Sequence, residues 1–211
     1  VAIAGKCRAA AGRAQPQYDA CMTSIHAQRR AHLAALLGPG GIAIIPTAPV
    51  VARNRDSDFP YRHDSYFYYL TGFAEPGACL VLTNEGHATL LCQPKDPERE
   101  IWDGYRLGPQ AAVQALGVDE AYSSAETDSR LPHLLENRTT VWFPFATHAG
   151  LAARVDGWLG QVRTRARTGV LCPASQSDVC QLLDEMRLVK DAHEQDIIRR
   201  AGAISARGHV R

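Results

Sequence analysis

The stretch C-L-V-L-T-N-E-G-H-A-T-L-L-C, residues 79–92, decides the fold. Two apolar runs, Cys79–Thr83 and Ala88–Cys92, flank Asn84-Glu85-Gly86. Apolar runs joined by a short turn-forming segment predict a β-hairpin. Outward from it, helical and strand patterns alternate. Upstream, Ser24–Leu37 carries Ile25, Leu33, Leu36 and Leu37 on one helical face, with Ser24 as expected N-cap and Gly38-Pro39 as stop signal. Gly41–Ile45 follows as a short buried strand. The glycines at 38, 40 and 41 fit no phosphate-loop motif and read as a helix C-cap and turn. Val50–Asp64 is a polar, charge-rich loop, and Ser65–Leu70 is an aromatic run.

Downstream, Pro94–Gly108 reads as a loop that holds Trp102, and Pro109–Leu116 as a short helix closed by Gly117. A helix near Ala125–Glu136, a strand at Thr140–Phe143, a helix over Thr147–Arg167 and a short strand at Val170–Cys172 follow. The fold class expected is α/β, a three-layer sandwich with a mixed sheet built from 42–45, 66–70, 79–83, 88–92, 140–143 and 170–172. The expected domains are a disordered lead-in at 1–22, an α/β domain at 23–175 and a linker helix at 176–190. The stretch 191–211 reads as a last helix opened by an Asp191…Glu194 capping box. That helix carries an apolar stripe of Ile197, Ile198, Ala201 and Ile204, and such a stripe must be buried against something. The expectation is that the natural protein continues.

Composition bounds the function. The 211 residues hold 23 Lys+Arg and 22 Asp+Glu, a net charge of +1, which argues against a dedicated nucleic-acid or membrane-surface binder. Hydrophobic residues make up 45%, enough for a sizeable core. No apolar run reaches the roughly 18 residues of a membrane span. The six cysteines, at 7, 21, 79, 92, 172 and 180, show no C-x-x-C pair, so a reduced cytoplasmic protein is expected. Nucleophile and zinc motifs, G-x-S-x-G and H-E-x-x-H, are absent. Asp56 and Asp58 share one side of an extended segment. Arg53, Arg55 and Arg62 flank them, so charge pairing is expected rather than cation binding.

Three motifs go further. D-S-D-F-P-Y-R-H-D-S-Y-F-Y-Y-L-T-G-F-A-E-P-G (56–77), E-I-W-D-G-Y-R-L-G (100–108) and E-M-R-L-V-K-D-A-H-E-Q-D-I-I-R-R-A-G (185–202) resemble the Xaa-Pro aminopeptidase (aminopeptidase P) family, in its order and spacing. The resemblance covers Met22 to Arg211. It implies an amino-terminal domain preceding a "pita-bread" catalytic domain that binds two Mn²⁺ through two Asp, one His and two Glu. All of those ligands would lie downstream of this chain, with Ile197–Gly208 matching the first catalytic-domain helix. The parent would be a metallopeptidase, a hydrolase that removes the N-terminal residue from peptides with proline second. The 211 residues alone are expected to hold no metal, to lack catalytic residues and to be inactive. The resemblance also implies a homo-oligomer in which one subunit's amino-terminal domain overhangs its neighbour's active site. Trp102, Asp56 and Arg167 are the substrate-shaping candidates there. For Trp102 the alternative is packing under its own loop, and for Asp56 a local ion pair. The expected partners are the missing catalytic domain, further copies and the peptide substrate, with no nucleic acid and no membrane. Creatinase, prolidase or a non-catalytic binding protein of the same layout is the alternative parent.

Overall fold

The computed structural model describes residues 20–210, with side chains from Ser24 onward. Its centre is a six-stranded sheet ordered β4-β3-β2-β1-β5-β6. The strands are β1 (Gly41–Pro46), β2 (Cys79–Thr83), β3 (Ala88–Cys92), β4 (Glu120–Ser123), β5 (Thr140–Phe143) and β6 (Ser175–Asp178). The predicted hairpin forms β2 and β3, with Leu80 opposite Leu90. β2 runs antiparallel to both β1 and β3, whereas the β1–β5, β3–β4 and β5–β6 pairs are parallel. Only β2 is therefore reversed, and the carboxyl ends of all other strands share one edge.

Helices cover both faces, which makes the expected three layers. Successive residues of a strand point to opposite faces, so a strand covered on both sides is apolar throughout. Ala43, Ile45, Leu80, Leu82 and Leu90 meet α1 (Ala20–Leu36), α2 (Ser65–Thr71), α4 (Pro109–Leu116) and α7 (Cys180–Leu188). Ile42, Ile44, Val81, Leu91 and Val141 meet α5 (Thr127–Leu134) and α6 (Leu151–Thr164). The short α3 (Pro97–Asp103) and the long α8 (Ala192–His209) bury no residue in either core.

Several expectations are corrected. Ser65–Leu70 is the helix α2, not a strand. Its aromatics favour strands, but Asp64 Oδ1 accepts from the Tyr66 and Phe67 amides at 2.8 and 2.9 Å, and Gly72 closes the helix at φ 66°. Phe67, Leu70 and Thr71 then share the buried face. Val170–Cys172 is not a strand either, and Leu171 is 68% exposed. The last strand is the polar Ser175–Asp178, and the strand Glu120–Ser123 was not expected. Trp102 lies on α3 rather than in a loop.

The first helix begins at Ala20, so Ser24 is inside it and not its N-cap. The expected lead-in lies outside the described residues, except for Ala20–Met22, which are helical. Leu36 is 41% exposed, and the buried face of α1 instead includes His26 and Arg30. Arg30 donates through Nη1 to Leu70 O at 3.0 Å, and through Nη2 to Leu116 O at 3.2 Å and to Gly117 O. It thus holds the carbonyl-rich ends of α2 and α4, where a cation is favoured.

Candidate functional site

Open α/β sheets bind ligands outside the carboxyl ends of their parallel strands, where the chain leaves toward opposite faces. Here that point is β1/β5, because β1 leads to α2 on one face and β5 to α6 on the other. The protein's own side chains fill it. The Thr47 and Tyr61 hydroxyls are 2.8 Å apart, and Tyr61 OH donates to Ala48 O at 3.1 Å. The Asp64 amide donates to Thr47 Oγ1 at 3.4 Å. Asp64 Oδ2 lies 3.8 Å from His148 Nε2. Beside them, Asp178 Oδ1 accepts from the Phe145 and Cys180 amides.

The electrostatics of this cluster are those of a plug rather than an acid–base site. Burial pushes Tyr61 up, partly opposed by Thr47. Burial lowers His148, partly opposed by Asp64, and so keeps its ring neutral at pH 7. Burial, together with Asp178, pushes the Cys180 thiol up to about 12, far from the thiolate form a nucleophile needs. Cys79 and Cys92 are likewise pushed up to about 12 by burial. Among the described residues, no three His, Cys, Asp or Glu side chains come together in a way that could hold a metal ion. The sheet therefore holds a candidate scaffold, and the accessible chemistry lies on what projects from its edge.

Two features project there. The segment after β1 is a small hairpin that the loop reading missed. Ala52 bridges Asp58, Phe59 N donates to Val51 O at 2.9 Å, and Arg53 N donates to Ser57 O at 2.9 Å. Asn54 Oδ1 accepts from the Asp56 and Ser57 amides at 2.9 Å, an Asx turn that was the available sequence signal. Asp56 is exposed at the tip. Among the described residues, neither Asp56 nor Asp58 forms an ion pair, so the expected pairing with the flanking arginines is not present.

The second feature follows β3. The α3 helix is capped by Asp96, whose Oδ1 accepts from the Arg99 amide at 3.1 Å, and starts on Pro97. A polar frame fixes it. Lys95 Nζ is 2.7 Å from Glu100 Oε1, which also accepts from the Arg106 amide at 3.0 Å, and Arg106 Nη2 is 2.8 Å from Asp103 Oδ2. The Lys95 ammonium holds Glu100 below the usual carboxylate range. On this frame Ile101 is 78% and Trp102 84% exposed. Trp102 does not pack under its own loop. With Asp96, Glu98 and Arg99 it lines a shallow concavity of about 320 Å³. Ile101 and Trp102 thus present neighbouring apolar surface to solvent on α3. Arg167 is exposed in the 3₁₀ turn Ala166–Thr168, between α6 and β6. That turn belongs to the amino-terminal edge, so Arg167 does not share an edge with Asp56 and Trp102.

Known proteins match this arrangement. A family profile described as "Aminopeptidase P, N-terminal domain" matches residues 26–142. Xaa-Pro aminopeptidase of Escherichia coli K12 is 38% identical over 188 residues, which cover 87% of this chain and 43% of that protein. Its Haemophilus influenzae counterpart is 34% identical, covering 87% and 41%. The structure of Pseudomonas aeruginosa aminopeptidase PepP superposes with a TM-score of 0.86 at 39% identity, covering 89% of this chain and 43% of that one. An E. coli aminopeptidase P structure, described as zinc-substituted and in complex with product, has a TM-score of 0.86 at 37% identity, covering 90% and 44%. The chain thus spans less than half the length of these relatives.

Proposed function

Since the chain belongs to the aminopeptidase P amino-terminal domain family, we propose that it is the oligomerisation and active-site-shaping domain of a metal-dependent Xaa-Pro aminopeptidase. The whole protein would remove the first residue from peptides with proline second. The observation that carries this reading is Trp102, 84% exposed on a helix that contributes nothing to the core. An indole offers a large contact face at little rotamer cost, suited to walling a peptide in place. The names of the relatives support the reaction, and the zinc-substituted relative supports a bound metal.

In this reading two Mn²⁺ belong to the part of the protein beyond this chain, and the described residues contribute no ligand. There a metal pair would supply an activated hydroxide for attack on the peptide carbonyl. This chain's own part is to orient the peptide and exclude water. Trp102 and Asp56, projecting from one edge, serve a neighbouring subunit's site. We place α8 in the next domain, as the first helix of the catalytic unit, with α7 as the linker. A cytoplasmic location fits the free thiols of Cys79, Cys92, Cys172 and Cys180. Among the described residues no helix is long and apolar enough to cross a membrane.

The test uses the whole protein with Mn²⁺ and an Ala-Pro-initiated peptide. Release of free alanine is expected, and its absence with metal bound refutes the reaction. Trp102→Ala should lower kcat/KM by roughly 5- to 150-fold, or about 1–3 kcal/mol, with metal content unchanged. Mixing that variant with a metal-ligand variant should restore part of the activity, because hybrid oligomers pair an intact wall with an intact metal site. No recovery despite demonstrated subunit exchange confines Trp102 to its own subunit.

A further inference from the structure

The α8 helix runs 18 residues yet buries none, with Ile197, Ile198 and Ile204 42%, 57% and 62% exposed. At its first turn Arg29 of α1 converges on it. Arg29 Nη2 is 2.7 Å from Asp191 Oδ2 and 3.6 Å from Glu194 Oε1. Nη1 donates to Tyr69 O at 3.2 Å, and the guanidinium lies 4.1 Å from the centre of the Tyr69 ring. The Arg29 side chain is 10% exposed.

Asp191 and Glu194 are also the capping box of α8, and they divide their oxygens between the two tasks. Asp191 Oδ1 accepts from the Glu194 amide at 2.8 Å, and Glu194 Oε2 accepts from the Asp191 amide at 3.0 Å. The other oxygen of each carboxylate faces Arg29. The helix start and its attachment to the domain are thus one network. The preceding turn is pinned as well. Tyr66 OH donates to Asp184 Oδ1 at 2.6 Å, Tyr69 OH donates to Met186 O at 3.3 Å, and Arg187 lies 5.1 Å from the Tyr66 ring centre.

We propose that the Arg29–Asp191–Glu194 clamp is a rigid joint that holds α8 at one fixed angle to the sheet, with Arg29 as its positioning residue. The guanidinium is suited to this because its planar fork reaches both elements at once, Nη1 to the Tyr69 carbonyl of α2 and Nη2 to Asp191 and Glu194, and so constrains direction as well as distance. The lever is long. At 1.5 Å per residue α8 extends about 27 Å, so a tilt of about 10° at the joint carries its far end about 5 Å. The proposal concerns this chain alone and does not rest on the proposed peptidase activity.

Residual dipolar couplings of the 211-residue chain, weakly aligned, test it. In the wild type, the amide couplings of Ile197–Arg207 are expected to fit the alignment tensor of the sheet at full magnitude. In Arg29→Gln the tensor magnitude for α8 should fall at least two-fold while its Cα shifts stay helical. A reduced α8 tensor in the wild type overturns the joint, and so does an undiminished one in Arg29→Gln. Loss of helical shifts in the variant also overturns it, because Arg29 would then hold the helix together rather than aim it. If Arg29→Gln does not fold, Asp191→Asn keeps a capping oxygen while removing the charge, and the same two-fold fall is required of it.

Discussion

Replacing Arg30 by methionine should destabilise the domain by about 3 kcal/mol. Arg30 is 4% exposed, and its guanidinium donates to three main-chain carbonyls, those of Leu70, Leu116 and Gly117. Methionine fills a similar volume but donates nothing. Each buried acceptor left bare costs about 1–3 kcal/mol, so three give about 3–9 kcal/mol. Against this stands relief from keeping an arginine desolvated, which lowers its proton affinity, with Asp119 partly opposing. That relief brings the balance to the bottom of the range. Arg30→Lys keeps the charge but cannot reach ends of two helices with one ammonium, so it should fall between the two. In urea, at an m-value of about 2 kcal/mol/M, the midpoint should drop by about 1.5 M for the methionine variant. A drop under about 0.3 M would show that the carbonyls are satisfied without Arg30 and that it clamps nothing.

His26 should make stability pH-dependent on the acid side of neutrality. Burial, opposed by the Tyr69 carbonyl and aided by Arg29, Arg30 and His193, lowers it below 6.5. The folded protein keeps it neutral while the unfolded chain takes up a proton near 6.5, so stability present above that pH is lost as pH falls through 6.5 and below, by up to about 1.4 kcal/mol per pH unit. His26→Gln should flatten part of that slope in urea titrations at pH 7.5 and 5.5. His63 and His148, also lowered by burial, retain the remainder, and an unchanged slope counts against the assignment. Gly72→Ala should cost more than Gly86→Ala, although both glycines have positive φ, at 66° and 91°. The left-handed strain of about 1–2 kcal/mol is common to both, but only at position 72 would a Cβ lie 2.6 Å from His26 Nε2. Equal melting temperatures for the two variants would show that His26 gives way freely.

Legibility in the sequence followed burial. β1, β2, β3 and β5 read as strands because both faces of the central strands are covered, so their residues are mostly apolar and uncharged. β4 and β6 lie at the sheet edges, and Glu-Ala-Tyr-Ser and Ser-Gln-Ser-Asp carry no such run. The Tyr- and Phe-rich α2 was misread because side-chain preference for strands was weighed above the Asp64 cap that overrides it. For α3 the signal was present in Asp96-Pro97, an N-cap followed by proline at the first helical position. Asp56, Trp102 and Arg167 came from resemblance, since nothing in composition separates them from other surface residues. Arg29 was beyond sequence reading. Its partner Asp191 is 162 positions away, and no local pattern announces a contact of that range.

The reversed strand β2 and its neighbour β3 have a bearing on solubility. Their runs, Cys-Leu-Val-Leu-Thr and Ala-Thr-Leu-Leu-Cys, are uncharged, free of proline and rich in branched residues, a composition that stacks into cross-β aggregates when exposed. In the folded sheet β4 shields the open side of β3, and it is four residues long and bears Glu120. Asp119 fastens its start, accepting from the Ala88 amide at 2.7 Å through Oδ2 while its own amide donates to Ala88 O at 3.0 Å. The far side of the sheet ends in β6, wholly polar, which offers a poor template for a further strand. Damage that frees β4 would therefore bare the ladder groups of β3 and turn a modest loss of stability into precipitation.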